Sequence, residues 1–400
     1  MKYVVILADG MAGLPLSELS GNTTLSYAKT PFMDYLASCG RMGLVHTVPE
    51  TMSPGSDVAN LSVLGYDPLL CYSGRSSLEA LSVGVSMSRS DVVFRANLVS
   101  LTEADSYSRK VILDHSSGEI STEDANILMD AIRQAFQTDT FKFYTGTSYR
   151  HIMVWDKGRQ SHLEPPHDHL GKVIGPYLPK DPVLRTFMEK SFEVLNSHPL
   201  NIQRQKQGLN KANSLWFWGP GTKPSLASFE SKTGLKAVMI SAVDLLKGIA
   251  VGSGMRVLTV PGANGSLDTN YIGKADAALQ ALLDDGADFA YIHVEAPDEM
   301  GHQGSISHKI ESIERIDQLI VGRVFETLKA SGEPFRIMIL PDHPTPIVYR
   351  THTKDPVPYL IYDSRYEQRK TACFSEREAG LTGNRIDAGY KLMDLFIEKE

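Results

Sequence analysis

Residues 3–8 have the sequence Tyr-Val-Val-Ile-Leu-Ala, and Asp9-Gly10 follow them directly. This run is continuous, apolar and rich in β-branched residues, which is typical of a strand that is buried on both faces of a sheet. Similar short runs recur at residues 214–218, 237–240, 256–260, 289–294 and 336–340. Helical periodicity separates them, most clearly at 271–283 and 308–328. This alternation predicts an α/β core with a doubly wound, mostly parallel sheet.

The middle of the chain has a different pattern. Strand-like segments are found at residues 92–101, 110–113, 142–144 and 151–155. A helical segment at 121–136 opens with Ser121, three residues before Asp124, as in a capping box. Residues 163–182 are rich in Pro, Gly and His and are predicted to be a loop. We therefore predict a core formed by residues 1–74 and 181–400, with a smaller α+β domain, residues 75–180, inserted into it.

The composition is that of an ordinary soluble enzyme. A chain of 400 residues with 42% hydrophobic and 22% charged residues suggests two domains with full apolar cores. The net charge of −7 argues against nucleic acid and anionic membranes as partners. Three cysteines without a CxxC spacing indicate a reducing, cytoplasmic compartment. We expect no membrane span, because no stretch approaches ~18 apolar residues, and no signal peptide, because Asp9 interrupts the first apolar run.

Polar residues with metal-binding side chains follow three of the predicted core strands. Ligands of a doubly wound sheet bind at the carboxyl ends of its strands. Asp9 follows the first strand, and Asp342-His343 follow the strand at 336–340. Asp298 follows the strand at 289–294, and His302 lies four residues later, on the same face of a helix. Each residue alone also has a structural explanation, as a turn residue, a helix cap or a surface histidine.

Ser56 is the candidate nucleophile. It lies in Ser53-Pro54-Gly55-Ser56, a tight turn that leads into an apolar helical pattern at residues 58–64. The unpaired N–H groups of a helix N-terminus stabilise a phosphate or an oxyanion. A nearby divalent cation would convert the serine hydroxyl into an alkoxide nucleophile. The alternative is a serine that only caps the helix.

Together, these residues predict a site for two divalent cations. Each cation needs about three to four nitrogen or oxygen ligands. Mixed carboxylate and imidazole ligands favour manganese or zinc over magnesium. Two such ions are the usual clamp for in-line phosphoryl transfer. The predicted set comprises Asp9, Ser56, Asp298, His302, Asp342, His343 and His352.

This set resembles that of the cofactor-independent (2,3-bisphosphoglycerate-independent) phosphoglycerate mutases, which belong to the alkaline phosphatase superfamily. The archaeal-type branch is the most similar. Residues 64–68, 72–75, 216–221, 242–248 and 352–358 add to the resemblance, which extends over nearly the whole chain.

The resemblance implies an enzyme of glycolysis that interconverts 3-phosphoglycerate and 2-phosphoglycerate through a phosphoserine at Ser56, without 2,3-bisphosphoglycerate. The inserted domain would close over this small phosphorylated substrate and exclude water. One metal ion, most naturally manganese, would be held by Asp9, Ser56, Asp342 and His343. The other would be held by Asp298, His302 and His352.

One segment departs from the archaeal-type mutases. Where they have Asp-Arg-Arg-Ala-Gly-Arg-Ile, residues 114–120 are Asp-His-Ser-Ser-Gly-Glu-Ile. Because arginine forks bind carboxylates and phosphates, their loss favours an alternative, homoserine kinase, an activity proposed for a similar bacterial subgroup. Glu119 would then face the substrate amino group, or it is simply a solvated turn residue. A phosphatase and a catalytically inactive binding protein are further alternatives.

Several basic residues are candidates for substrate binding. For each, the alternative is a solvated cation or a structural ion pair. The candidates are Arg75, Arg150, His151, His169, Arg204, Lys211 and Lys247.

Overall fold

The structure, a computed structural model, describes residues 1–366 and 372–398. Within these ranges the strands are β1 (Lys2–Ala8), β2 (Arg41–Val45), β3 (Val92–Leu101), β4 (Ile112–Asp114), β5 (Phe141–Tyr144), β6 (Arg150–Trp155), β7 (Ser214–Thr222), β8 (Ala237–Ile240), β9 (Arg256–Leu258), β10 (Phe289–Val294), β11 (Phe335–Leu340), β12 (Val357–Asp363) and β13 (Arg385–Ile386).

The α-helices are α1 (Thr24–Tyr27), α2 (Pro31–Cys39), α3 (Ser56–Val63), α4 (Pro68–Cys71), α5 (Arg75–Ser82), α6 (Thr122–Phe136), α7 (Pro182–Asn196), α8 (Pro199–Lys206), α9 (Phe229–Thr233), α10 (Asp244–Gly252), α11 (Tyr271–Leu283), α12 (Ala296–Gln303), α13 (Ile306–Ile316), α14 (Arg323–Ser331), α15 (Glu376–Leu381) and α16 (Leu392–Ile397). Short 3-10 helices occur at Ser17–Leu19, Tyr107–Arg109, Pro166–His169, Gly175–Tyr177 and Gly389–Lys391. A π-helical segment, Asp317–Gly322, joins α13 to α14. No helix among these described residues is both long and apolar enough to cross a membrane.

The chain forms two units, which we call the core unit and the inserted unit. The core unit comprises Met1–Tyr72 and Ser225–Glu400, and the inserted unit comprises Ser73–Pro224. The predicted boundary at residue 180 is wrong. Residues 181–224 belong to the inserted unit, because β7 pairs with β3 along most of its length and α7 packs against β7.

A mostly parallel sheet forms the centre of the core unit, which confirms the predicted α/β class. Among the described residues its strand order is β13-β2-β12-β11-β1-β10-β8-β9. β1 runs parallel to both of its neighbours, pairing Ala8 with Val294 of β10 and Leu7 with Leu340 of β11. β12 is antiparallel to β11 and β2. The carboxyl ends of β10, β1 and β11 therefore lie side by side at one edge of the sheet.

Burial of continuous apolar strands stabilises this sheet. Every residue of β10 and β11 is buried, and so is β1 from Val4 onward. A fully buried leucine-sized side chain contributes roughly 1.5–3 kcal/mol. α11 covers the sheet with a face that includes Ala275, Ala278 and Leu282, and the two small alanines allow the helix to approach the strands closely.

The inserted unit is built on an antiparallel sheet. β3 pairs with β6 on one side and β7 on the other, and β5 extends the sheet beyond β6. The run at 214–218 was predicted to be a core strand, but it lies in β7 of this unit. Its buried Trp216 and Phe217 give the run an apolar pattern that does not reveal which sheet it joins. As predicted, Ser121 caps α6 by accepting a hydrogen bond from the Asp124 N–H.

Candidate functional site

Three buried aspartates meet at the carboxyl ends of the central strands. Asp9 directly follows β1, Asp298 lies in the first turn of α12 after β10, and Asp342 lies two residues after β11. Their exposed fractions are only 2%, 6% and 0%, respectively. Carboxylates removed from water in this way need compensating positive charge.

The first group of candidate ligands contains Asp9, Asp342 and His343. One ligand atom from each lies within 4.8 Å of the others. His343 Nε2 is 3.6 Å from Asp9 Oδ1 and 3.4 Å from Asp342 Oδ2. The same nitrogen is 3.2 Å from Ser56 Oγ. The candidate nucleophile therefore lies beside this group.

The second group contains Asp298 and His352, again with His343 within reach, and His302 lies beside it. Asp298 Oδ2 is 3.2 Å from His302 Nε2, and Asp298 Oδ1 is 3.4 Å from His352 Nε2. His302 Nδ1 lies 2.9 Å from the Arg350 carbonyl oxygen. Because a carbonyl can only accept, Nδ1 carries a proton, and the hydrogen bond between Nε2 and Asp298 raises the pKa of His302 to about 9. A bound cation would take the place of the proton on Nε2. The structure thus brings all seven predicted residues together.

The electrostatics of these groups fit divalent cations. Asp9 Oδ1 is buried and accepts no hydrogen bond from the described residues. Burial, followed by the nearby charges of Asp342 and Asp298, raises the pKa of Asp9 well above its ordinary value. Burial also opposes ionisation of Asp298, but hydrogen bonds with His302 and His352 outweigh it and hold the pKa of Asp298 well below the usual range. A bare carboxylate oxygen among like charges is what a bound cation would satisfy.

Ser56 is the first residue of α3, and Gly55 occupies the N-cap position without a side-chain cap. The alternative that Ser56 only caps the helix is therefore wrong, because Gly55 holds the N-cap position. A Cβ at residue 55 would lie 2.8 Å from Asp57 Oδ1, so this close approach favours glycine. The Tyr72 hydroxyl donates to Asp57 Oδ2 at 2.7 Å and fixes the start of the helix. The Val58 N–H donates to Asp57 Oδ1 and the Ala59 N–H donates to the Gly55 carbonyl oxygen, so the N–H groups of Ser56 and Asp57 are the ones suited to a phosphoryl oxygen.

Several buried polar residues of the site were not predicted. His293 Nε2 lies 3.1 Å from Asp9 Oδ2, and its Nδ1 lies 3.2 Å from Ser241 Oγ. Burial lowers the pKa of His293 to about 3, so its ring is neutral. Thr345 donates to Asp298 Oδ1. The only signal in the sequence was a histidine within the otherwise apolar strand β10.

A buried lysine braces the loops that carry these ligands. Lys309 Nζ donates to the carbonyl oxygens of Gly10 and Thr345, both at 2.7 Å. Burial lowers the pKa of Lys309 to about 8. Gly10 has a φ of +62°, and a Cβ there would lie 2.6 Å from Asp298 Oδ1. Only glycine fits this turn without strain.

Most of the residues predicted to bind substrate form structural ion pairs, hydrogen bonds or ring contacts instead. In the core unit, Lys247 forms an ion pair with Asp244 at 3.1 Å. In the inserted unit, Arg204 is buried and donates to Asp124, Ser117 and Asn210.

The other candidates of the inserted unit differ in exposure. Lys211 donates to Asn196, His151 is buried in β6 and accepts from the Gly146 N–H, and His169 stacks on Tyr177. The two that remain exposed are Arg75 and Arg150.

Arg75 and Arg150 belong to a basic cluster of the inserted unit, together with Arg95, His115 and His167, whose ring centres lie 6.0 Å apart. Burial lowers the pKa of Arg95, and the charges of Arg75 and Arg150 add to this effect while Glu79 opposes it. Arg75 and Arg95 share Glu79, at 3.2 Å and 2.7 Å. The Arg95 guanidinium lies 4.3 Å from the centre of the Trp218 ring. The cluster has more positive than negative groups and can bind an anion.

The chain is 46% identical over 404 residues to a probable 2,3-bisphosphoglycerate-independent phosphoglycerate mutase of Geobacter sulfurreducens, with 100% of both chains covered. It belongs to that family. The family's model, 2,3-bisphosphoglycerate-independent phosphoglycerate mutase, matches residues 37–201. The mutase of Methanosarcina acetivorans is 47% identical over 367 residues, 90% of each chain.

Solved structures agree with this assignment. The PH0037 protein from Pyrococcus horikoshii superposes with a TM-score of 0.81 at 32% identity, covering 99% of this chain and 96% of that one. The cofactor-independent phosphoglycerate mutase from Thermoplasma acidophilum superposes with a TM-score of 0.68 at 27% identity, covering 100% and 99%.

Within the phosphoglycerate mutase family, residues 114–120 have a structural explanation that needs no change of substrate. Asp114 accepts from the N–H groups of Ser116 and Gly118, at 2.8 Å and 2.7 Å, and closes a turn. Glu119 is exposed in this turn with a φ of +50°. Three of the four proteins named above carry the mutase name, and none of the four is named a homoserine kinase. The kinase alternative therefore has no support.

Proposed function

We propose that this chain interconverts 3-phosphoglycerate and 2-phosphoglycerate through a phosphoserine at Ser56, without 2,3-bisphosphoglycerate. The observation that most directly supports this is the position of the Ser56 hydroxyl, on the first turn of α3 and 3.2 Å from His343 Nε2. Full-length similarity to mutases supports the choice of substrate. A cytoplasmic location is consistent with the odd number of cysteines.

Two divalent cations complete the site in this proposal. Bound there, they would lower the pKa of the serine hydroxyl and neutralise the charge of the phosphoryl group. The mixture of carboxylates and imidazoles favours manganese, with zinc as the next choice. One ion would be held by Asp9, Ser56, Asp342 and His343, and the other by Asp298, His302 and His352.

The transfer consists of two displacements at phosphorus. Ser56 Oγ forms a bond to phosphorus while the bond to the 3-oxygen of the substrate breaks. The 2-hydroxyl of the glycerate then attacks the phosphoserine, and the bond to Ser56 Oγ breaks. The proton that leaves each attacking hydroxyl is matched by one gained by the departing oxygen, so the reaction has no net proton change. The N–H groups at the start of α3 stabilise the phosphoryl oxygens throughout.

Phosphorus NMR of metal-loaded protein tests the function. Manganese-loaded protein is given 3-phosphoglycerate alone, and we expect the 2-phosphoglycerate resonance to rise to equilibrium. Release of inorganic phosphate instead would indicate a phosphatase. Failure to convert the substrate, from protein shown to contain manganese, would rule the mutase out. A second tube with ATP and homoserine should form no phosphohomoserine.

Arg150→Met should raise the KM for 3-phosphoglycerate about 10- to 100-fold, because a hydrogen bond to a charged group contributes about 1.5–3 kcal/mol. The substrate has a carboxylate in addition to its phosphate, and the basic cluster of the inserted unit, in which Arg150 is exposed, has the charge to bind it. We expect kcat to change less than KM. Arg109→Met is the matched control, since Arg109 is an exposed cation of the same unit near Asp105. Equal KM values for the two variants would contradict a substrate role for Arg150.

A further inference from the structure

Asn60 forms a buried junction beneath the nucleophile. It lies on α3, one turn after Ser56, and is fully buried. Its Nδ2 donates to the Ser56 carbonyl oxygen at 2.9 Å and to Asp342 Oδ2 at 3.0 Å. Its Oδ1 accepts from the Tyr291 hydroxyl at 2.6 Å. The amide of Asn60 thus connects α3, the segment after β11 and the central strand β10.

The chemistry of the partners fixes the orientation of this amide. The Asp342 carboxylate and the Ser56 carbonyl can only accept, so the NH2 group of Asn60 must face them. The amide oxygen then faces Tyr291, whose hydroxyl must donate. Burial, together with the charges of Asp342 and Asp9, raises the pKa of Tyr291 well above its ordinary value, so the hydroxyl keeps its proton. Tyr291 therefore holds Asn60 in one of its two possible orientations.

The junction also determines which part of Asp342 is left for a cation. Asp342 Oδ1 accepts from the N–H groups of Gly10 and His343, at 3.2 Å and 2.9 Å. Asp342 Oδ2 accepts from Asn60 and lies 3.4 Å from His343 Nε2. A carboxylate has about four lone-pair sites, so one site on Oδ2 remains, on the oxygen that lies 3.4 Å from His343 Nε2.

We propose that Asn60, held by Tyr291, is a positioning residue that keeps the Ser56 helix and the metal-binding carboxylate of Asp342 at one fixed separation. Hydrogen-bonded partners of metal-binding carboxylates commonly affect both metal affinity and activity. The kinetic part of this inference rests on the proposed function, but the metal-affinity part does not.

Binding of Mn²⁺ alone, followed through the electron paramagnetic resonance of the free ion, tests the proposal. We expect Asn60→Leu and Tyr291→Phe each to weaken Mn²⁺ binding about 10- to 100-fold. In saturating Mn²⁺, kcat should fall by a similar factor while the KM for 3-phosphoglycerate stays within about twofold of wild type. Because Tyr291 acts through Asn60, adding Tyr291→Phe to Asn60→Leu should weaken binding no further.

Tyr271→Phe is the matched control. Tyr271 is also buried and donates to a backbone carbonyl, that of Leu267, at 3.0 Å, away from the seven ligands. Tyr271→Phe should lose about as much thermal stability as Tyr291→Phe, but its Mn²⁺ affinity should equal that of wild type. Wild-type affinity in Tyr291→Phe, the milder variant, would overturn the proposal, and so would fully additive effects in the double variant. If the wild-type protein lacks mutase activity but the two variants show these changes in Mn²⁺ affinity, only the proposed function is refuted.

Discussion

Ser56→Ala should lower kcat for phosphoglycerate interconversion by at least about three orders of magnitude, because the variant lacks the hydroxyl proposed as the nucleophile. Ser56 Oγ is the hydroxyl beside His343 Nε2, at 3.2 Å. The other six candidate ligands remain in this variant, so it should still bind divalent metal. Kinetics with 3-phosphoglycerate and metal analysis of the purified variant measure the two effects.

A trapping experiment separates loss of the nucleophile from general damage. After mixing with phosphorus-labelled substrate and acid quenching, wild-type protein should carry label on Ser56, and the variant should carry none. Ser53→Ala is the control, because Ser53 is an exposed serine of the same turn. Substantial turnover by Ser56→Ala would contradict the phosphoserine mechanism.

Removing divalent metal should abolish activity and lower the melting temperature by on the order of 10 °C. A ligand at a thousand times its Kd stabilises the native state by about 4 kcal/mol, and each kcal/mol corresponds to about 2–4 °C for a domain of 150–250 residues. Without cations, three buried carboxylates face one another without full compensation. Calorimetry of chelator-treated and manganese-loaded protein measures the shift. Equal melting temperatures would contradict a metal centre at this position.

Asp9→Asn should raise the stability of the metal-free protein and lower the stability of the manganese-loaded protein. In metal-free protein it removes a repelling charge, so the variant should be more stable than wild type. The raised pKa of Asp9 means that the native state holds this proton to higher pH than the unfolded chain does. The penalty for Asp9 therefore grows as the pH rises from the pKa of the unfolded chain towards the folded pKa and then levels off, so the gain should be larger at pH 7 than at pH 4. In manganese-loaded protein the variant should be less stable than wild type, because it lacks an anionic ligand. Ser53→Ala, the control, should leave the stability of both the metal-free and the manganese-loaded protein unchanged.

The positions of the candidate metal ligands were predictable because they depend on a general property of parallel sheets. Strand ends meet at one edge, so Asp9, Asp298 and Asp342 could be brought together from their places after three apolar runs. The spacing of Asp298 and His302 needed only the helical repeat. These inferences use local patterns and one topological rule.

The supporting residues could not be predicted in the same way. Asn60, Tyr291 and His293 lie within helix or strand interiors, where their local context resembles ordinary core. Their roles come from partners more than 200 residues away, as with Tyr291 and Asn60 at a separation of 231. The antiparallel direction of β12 and the pairing of β7 with β3 are likewise long-range facts, because an apolar run does not encode its neighbour.

The central position of β1 sets an order on folding during synthesis. Tyr3 pairs with Phe289 and Lys2 pairs with Phe335, so the first strand made finds its partners only late in translation. At 5–20 residues per second, the delay between β1 and β10 is roughly 15–60 s. The inserted unit is one continuous segment, Ser73–Pro224, and is fully synthesised well before then. The nascent chain therefore carries an unpaired apolar strand that a chaperone can bind, and the set of candidate cation ligands is complete only once residues beyond Asp342 have left the ribosome.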